Sequence, residues 1–153
     1  MSRLNYSDIL IGIKNILLED ADLQAHDSHG VRVYINDKLG SGIAEQAPCV
    51  LVELVVRSAP LERQRISAGR VTIFDVQISC VCVEYDLTSV ESAMRKLDDL
   101  ISLVEIALMK DRSLKGSVEG CTINGGKFDS LTENNHFIVG AEVNVFAQAR
   151  TSY

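Results

Sequence analysis

Two long stretches in which apolar and polar residues alternate constrain the fold of this chain more than any other feature. The first runs from Arg70 to Asp86, and its even positions from Phe74 to Cys82 are all apolar. The second runs from His136 to Arg150 and has an apolar residue at every odd position. Alternation of this kind indicates a β-strand with one buried face, and both stretches far exceed the ~5–6 residues of an average strand. The sequence therefore predicts a sheet built around two very long strands.

Cys80 and Cys82 lie in the first stretch, one residue apart, which raises the question of a metal or redox site. The period of two places both thiols on the apolar face of the strand, where a free cysteine packs as a small hydrophobic residue. A zinc site needs about four ligands, usually in paired clusters. Cys49 and Cys121 each stand alone in other apolar runs, and the chain has no C-x-x-C. We therefore interpret the cysteines as core residues and expect no metal or redox chemistry.

Two segments have the apolar spacing of helices. The first is Ser7 to about Asp20. The second is predicted to begin at a T-x-x-E capping box formed by Thr88 and Glu91, and to extend as far as Lys110-Asp111. The apolar stripe of this second helix consists of Val90, Met94, Leu97, Leu100, Ile101, Val104 and Leu108.

Three shorter runs complete the predicted sheet. Val31 to Ile35 is a short strand. Cys49 to Val56 is a strand with apolar residues on both faces, which we expect to be central or covered by a neighbouring subunit. Ser117 to Asp129 is a strand with a glycine bulge at Gly125-Gly126, and the SLTENN that follows is predicted to be a loop.

Two of the connections carry charged or titratable residues. Asp20 to Gly30 has no period, so it is predicted to be an exposed polar loop in which His26 and His29 bind no metal. Arg57 to Gly69 is much longer than a tight hairpin turn and combines basic with apolar residues, as protein interfaces do. We predict that it contacts a neighbouring subunit or another protein through Arg57, Leu61, Arg63, Arg65, Ile66 and Arg70. The alternative is a flexible, solvated hairpin tip that only connects two strands.

The order of these elements predicts an α+β fold: a largely antiparallel sheet of long strands, two helices packed on one face, and a long β-hairpin extension. The length of 153 residues fits a single domain over residues 1–153. Helices on one face would leave the other face bare, so we expect exposed apolar side chains there, namely those of Leu51, Val55, Val71, Val81 and Val83.

Composition and motifs exclude several classes of function. A net charge of −6 and an absence of tryptophan argue against wrapping nucleic acid, although an acidic channel would let DNA pass without binding it. The N-terminus lacks the pattern of a signal peptide, no stretch is apolar enough to span a membrane, and the lone cysteines suit a reducing cytoplasm. No nucleotide-binding, metalloprotease or nucleophile-elbow motif is present, so we expect no enzymatic activity, no catalytic residues and no cofactor.

The order and spacing of four segments resemble the tail terminator, or tail completion, proteins of long-tailed bacteriophages. These segments are YSDILIGIKNILLED, the hairpin CVLVELVV to RVTIFDVQISCVCVEY, the helix VESAMRKLDDLISLVEIALMKD with RSLKGSVEG behind it, and the hairpin INGGKFD to FIVGAEVNVFAQ. The resemblance implies a homo-oligomeric ring, commonly a hexamer, that caps the tail tube, stops its polymerisation and joins it to the head-side connector or stopper protein. It also implies contact with the tail tube protein and with a sheath protein where the tail has one, passage of genomic DNA through the lumen, and a place in the tail or neck of a virion assembled in the host cytoplasm.

Two other classes of function fit the sequence. One is another part of the same kind of particle, either a head–tail connector or neck protein or a tail tube protein. The other is a small enzyme or ligand-binding α+β domain, which would need a deep pocket with convergent polar groups.

Overall fold

The computed structural model describes residues 6–35, 47–57, 65–66, 71–118, 120–133 and 136–152. These ranges contain three helices, α1 (Tyr6–Glu19), α2 (Ala21–Gln24) and α3 (Val90–Lys110). They also contain six strands, β1 (Arg32–Ile35), β2 (Cys49–Arg57), β3 (Arg65–Ile66), β4 (Val71–Asp86), β5 (Gly120–Glu133) and β6 (His136–Ser152).

All six strands belong to one sheet in the order β1-β2-β4-β6-β5. The pair β1–β2 is parallel, and β2–β4, β4–β6 and β6–β5 are antiparallel. The short strand β3 pairs with the first residues of β4. β6 pairs with one edge of β4 along its whole length, so β2 and β3 both pair with the opposite edge. On that edge β3 follows β2 in line. The predicted α+β fold with a largely antiparallel sheet is confirmed, including two strands of 16 and 17 residues.

The main core lies between the helices and one face of the sheet. On β4 the alternate residues Val76, Ile78, Cys80 and Cys82 are buried, and on β6 the odd positions from Val139 to Ala147 are buried opposite α1 and α3. Burial raises the pKa of the Cys80 thiol to about 12 and that of Cys82 well above its ordinary value. Cys80 and Cys82 therefore pack in the core as predicted, and burial keeps both thiols protonated at neutral pH.

A tight contact joins α1 to the turn that follows α3. Gly12 faces this turn so closely that a Cβ atom built on it would lie 2.5 Å from the carbonyl oxygen of Leu114. Leu114 is fully buried with a φ of 50°, in the left-handed region. The Asp111 carboxylate holds the turn, because it accepts hydrogen bonds from the backbone N–H groups of Ser113 and Lys115.

The start of α3 differs from the prediction. Ser89 is the N-cap, and its hydroxyl oxygen accepts the N–H of Ser92 at 3.1 Å. Thr88 is not the cap because its own N–H donates to the Asp86 carboxylate at 2.6 Å, which closes a local turn one residue before the helix. Met94, predicted to lie in the apolar stripe, is 40% exposed.

The connection between β5 and β6 is shorter than predicted. The glycine bulge is confirmed, because the pairing shifts by one residue between Gly125 and Phe128. Beyond it β5 continues to Glu133, which pairs with His136. The prediction that SLTENN forms a loop is therefore wrong for Ser130–Glu133, since each of these residues finds a partner across the ladder and the ladder outweighs local turn preference.

Candidate assembly surface

The second face of the sheet, here called the open face, lies opposite the described helices. Alternation along the strands places Glu53, Ser79, Asn144 and Asn124 in one row across β2, β4, β6 and β5. Glu142 lies on the same face, next to this row. The middle of the open face is therefore polar and acidic, in contrast to the face beneath the helices.

One end of the open face forms a small apolar cluster of its own. Cys49, Val83 and Ile138 are buried there, with Tyr34 and Tyr85 packed against them. The prediction that Val83 is exposed is wrong, since only 3% of its surface is accessible. The physical reason is that the large tyrosine side chains beside it cover it within a single chain.

The other four residues predicted to be bare have mixed outcomes. Leu51 is also buried, so the prediction is wrong for it. Val81 is half-buried, and Val55 is exposed at 49%, at an irregularity in β2 between Leu54 and Val56. Val71 begins β4, but its side chain lies outside the described part of the structure.

A trough of about 560 Å³ lies where the first residues of β5 meet β4 and β6. The trough lies on the open face, and the side chains that line it there are those of Asp75 and Gln77 of β4, Phe146 and Gln148 of β6, and Thr122 of β5. The register places Gln77, Phe146 and Thr122 side by side across three strands. The Phe146 ring is 40% exposed, so the trough presents an aromatic surface bordered by a carboxylate and two amides.

The predicted interface residues are only partly within the described ranges. Arg57 is the last residue of β2, and Arg65 and Ile66 form β3, where Arg65 pairs with Thr72 and Ile66 with Val71. The side chains of these three residues are not described, and Leu61, Arg63 and Arg70 lie outside the described residues altogether. The role assigned to this segment therefore stays a prediction.

The structure also shows a buried polar pair that the sequence did not predict. His26 Nε2 lies 2.7 Å from Glu84 Oε2, and the two side chains are 11% and 4% exposed. The prediction of an exposed loop is wrong for His26, because α2 turns the chain back against β4. The sequence did contain one indication of this pair: Glu84 stands at a position of β4 that faces the core, and a buried carboxylate needs a polar partner.

Burial raises the pKa of the Glu84 carboxyl above its ordinary value, and the hydrogen bond from His26 partly opposes that effect. Within the described ranges, no three histidine, cysteine, aspartate or glutamate side chains are grouped to hold a metal ion. No described helix is long and apolar enough to cross a membrane.

Comparison with known proteins shows a likeness in fold to a protein of a virion. No protein-family model and no curated protein sequence matches this chain. Among solved structures, a chain in the virion of a native gene transfer agent particle has a similar fold, with a TM-score of 0.50 and 16% sequence identity. The match covers 95% of this chain and 100% of that chain. At this identity the likeness establishes a shared fold over nearly the whole length.

Proposed function

We propose that this protein is a structural component of a phage-like virion, and specifically a tail terminator that forms a ring on the end of the tail tube. The observation that carries the proposal is a helix layer described on one face of a long-stranded sheet, which leaves an open face with exposed Val55 and Phe146. The fold it shares, end to end, with a chain of a gene transfer agent virion supports the same class of protein.

The architecture suits a ring because a closed ring is held by two different surfaces of the same chain that meet head to tail. The open face offers one such surface, with exposed apolar side chains beside polar ones. A second surface is supplied by the end of the sheet where β3, β4 and the last residues of β6 pair.

The charge of the protein fits a channel for DNA. The whole chain has a net charge of −6. An acidic surface repels phosphates, so DNA passes a ring of such subunits without being held. In the proposed role the protein acts as a structural subunit and makes or breaks no covalent bond.

Electron microscopy and sedimentation velocity of the purified protein, alone and mixed with tail tubes, test the proposal. We expect rings, either formed by the protein at high concentration or seated on tube ends, and tubes whose length stops increasing once the protein is added. A tail tube protein would instead polymerise alone into long tubes. A strict monomer that binds no tube would contradict the proposal.

A further inference from the structure

The charges of this chain are distributed unevenly along the sequence. The segment 57–70 contains four arginines and one glutamate, so it carries a net charge of +3 within a chain of net charge −6. The remaining residues therefore carry −9. A basic segment in an otherwise acidic protein is attracted to an acidic surface, and every further copy of the same chain offers one.

The trough on the open face has the chemistry that recognises a guanidinium group. The Asp75 carboxylate accepts paired hydrogen bonds from an arginine, and the exposed face of the Phe146 ring attracts a cation. The side-chain carbonyls of Gln77 and Gln148 add neutral acceptors on either side. Asp75 already has a partner within its own chain, but the two oxygens of a carboxylate accept several donors.

Other occupants fit this trough less well. Phosphate is repelled by the Asp75 carboxylate, and a metal ion would find that single carboxylate among amides and a phenyl ring. A purely apolar segment would leave the carboxylate and both amides without water or a partner. An arginine fits both groups at once, because its planar guanidinium group can stack on the Phe146 ring while its N–H groups donate to the Asp75 carboxylate.

The order of the strands favours an arginine from another copy over one from the same chain. Within the described ranges, Arg57 ends β2 and Arg65 and Ile66 form β3, and both strands pair with the edge of β4 that faces away from β6. The trough extends from Asp75 and Gln77 of β4 across β6 to β5. Phe146 and Gln148 lie on β6, one strand further from β2 and β3, so an arginine that stacks on Phe146 from that edge would have to cross β4, and a neighbouring copy that approaches the open face would not.

We propose that the trough formed by Asp75, Gln77, Phe146 and Gln148 binds an arginine from the 57–70 segment of a second copy of this chain. This inference rests on the proposed ring, and it names the two surfaces that meet in each contact between neighbouring subunits. The contact is heterologous, since the segment of one copy enters the trough of the next, and repeated contacts of this type close by rotation.

A charge-exchange experiment on the full chain tests this contact. One variant reverses the segment with Arg63→Glu and Arg65→Glu, and another reverses the trough with Asp75→Arg. Sedimentation velocity should show that each variant alone associates at least about tenfold more weakly than wild type, because like charges then meet. An equimolar mixture should recover association, since every segment can then face a trough of opposite charge when the two variants alternate.

Matched controls separate the contact from general effects of charge and folding. Asp98→Arg changes an exposed carboxylate on α3 in the same way and should leave association unchanged. Because Asp75→Arg risks disturbing the fold, Phe146→Ala provides a neutral test, and we expect it to weaken association about threefold or more. Phe128 is exposed outside the trough, so Phe128→Ala is its control. Circular dichroism should show native folding in every variant.

Each outcome decides the question. Recovery in the mixture and weakening by Phe146→Ala support the trough as the receptor. If wild type forms rings and the trough variants form them equally well, the trough is not the receptor, although the proposed ring stands. If the mixture fails to recover while a chain carrying both reversals does, the arginine is bound within its own chain. If wild type neither self-associates nor caps tubes, the proposed function fails first.

Discussion

Removal of the His26 side chain should destabilise the protein in a way that depends on pH. The Glu84 carboxylate is almost completely buried and lies 2.7 Å from His26 Nε2. In His26→Ala this carboxylate loses its side-chain partner. Breaking a buried pair typically costs 3–5 kcal/mol, and the slight exposure of His26 admits some water, so we expect about 2–3 kcal/mol at about pH 7.5. For a chain of this size that corresponds to a fall in Tm of roughly 5–10 °C.

The sign of the pH dependence follows from the carboxyl group. The pKa of Glu84 is raised above its ordinary value by burial, and the loss of His26 removes a contact that lowered it. A group with a raised pKa contributes stability at low pH, and this contribution is lost as pH rises through the folded-state pKa. The penalty of His26→Ala should therefore be smaller at about pH 5 than at about pH 7.5. Asp20, Asp86 and Asp111 have lowered pKa values, so the stability that they contribute is fully present above their ordinary value of 3.8 and is lost only as the pH falls below it. These three carboxylates therefore do not affect a comparison between about pH 5 and about pH 7.5.

Urea unfolding followed by circular dichroism at the two pH values measures the effect. His29→Ala is the matched control, because His29 is exposed in the same connection, and it should change stability by less than about 0.5 kcal/mol. Adding Glu84→Gln to His26→Ala should restore part of the lost stability at the higher pH. If His26→Ala is as mild as His29→Ala, or if its penalty grows on acidification, the assignment of a buried, partnered carboxylate is wrong.

Two further substitutions test the packing. Gly12→Ala should destabilise the protein by about 1–2 kcal/mol in thermal unfolding, since overpacking against the Leu114 carbonyl outweighs the gain in helix propensity, and Asn15→Ala on the exposed side of α1 should not. Cys80→Ser should cost about 1–3 kcal/mol because it buries a hydroxyl in an apolar core, and metal analysis should find no zinc lost from the variant. Equal stability of Gly12→Ala and wild type, or stoichiometric zinc in wild type, would contradict these readings.

The long strands and the main core were predictable from the sequence because burial and alternation are linked directly. In β4 and β6 every second residue faces the helices, so the apolar residues at those positions identify the buried face. The same reasoning placed Cys80 and Cys82 in the core. It was less reliable for Val83, whose exposure depends on side chains from β1 and from β4 itself that pack beside it.

The start of α3 shows where local sequence is ambiguous. In the stretch DLTSVES, Thr88 and Ser89 are adjacent residues of N-cap type, and only Thr88 is followed at the right spacing by a glutamate. The choice between them depends on Asp86, whose carboxylate takes the Thr88 N–H. Asp86 is the last residue of a strand, so its position is set by the sheet rather than by the neighbouring sequence.

The trough could not be predicted because its residues come from three strands that lie far apart in the sequence. Alternation places Phe146 and Gln148 on the polar face of β6, but it does not tell which strands lie beside them. Only the observed order β4-β6-β5 brings Asp75 and Thr122 to the same place. The pairing of His26 with Glu84 was missed for the same reason, since 58 residues separate the two.

The length of the strands carries a consequence for assembly. Val76 on β4 and Ala147 on β6 are the last core residues whose side chains are described, and the backbones of both strands continue and pair with each other for five more residues, to Val71 and Ser152. At about 3.4 Å per residue this extension is about 17 Å long. A ribbon of two or three strands gains little stability by itself in water and needs an apolar face covered by something else. We therefore expect this extension of two to three strands to gain stability from contact with another protein, as it would in the proposed ring.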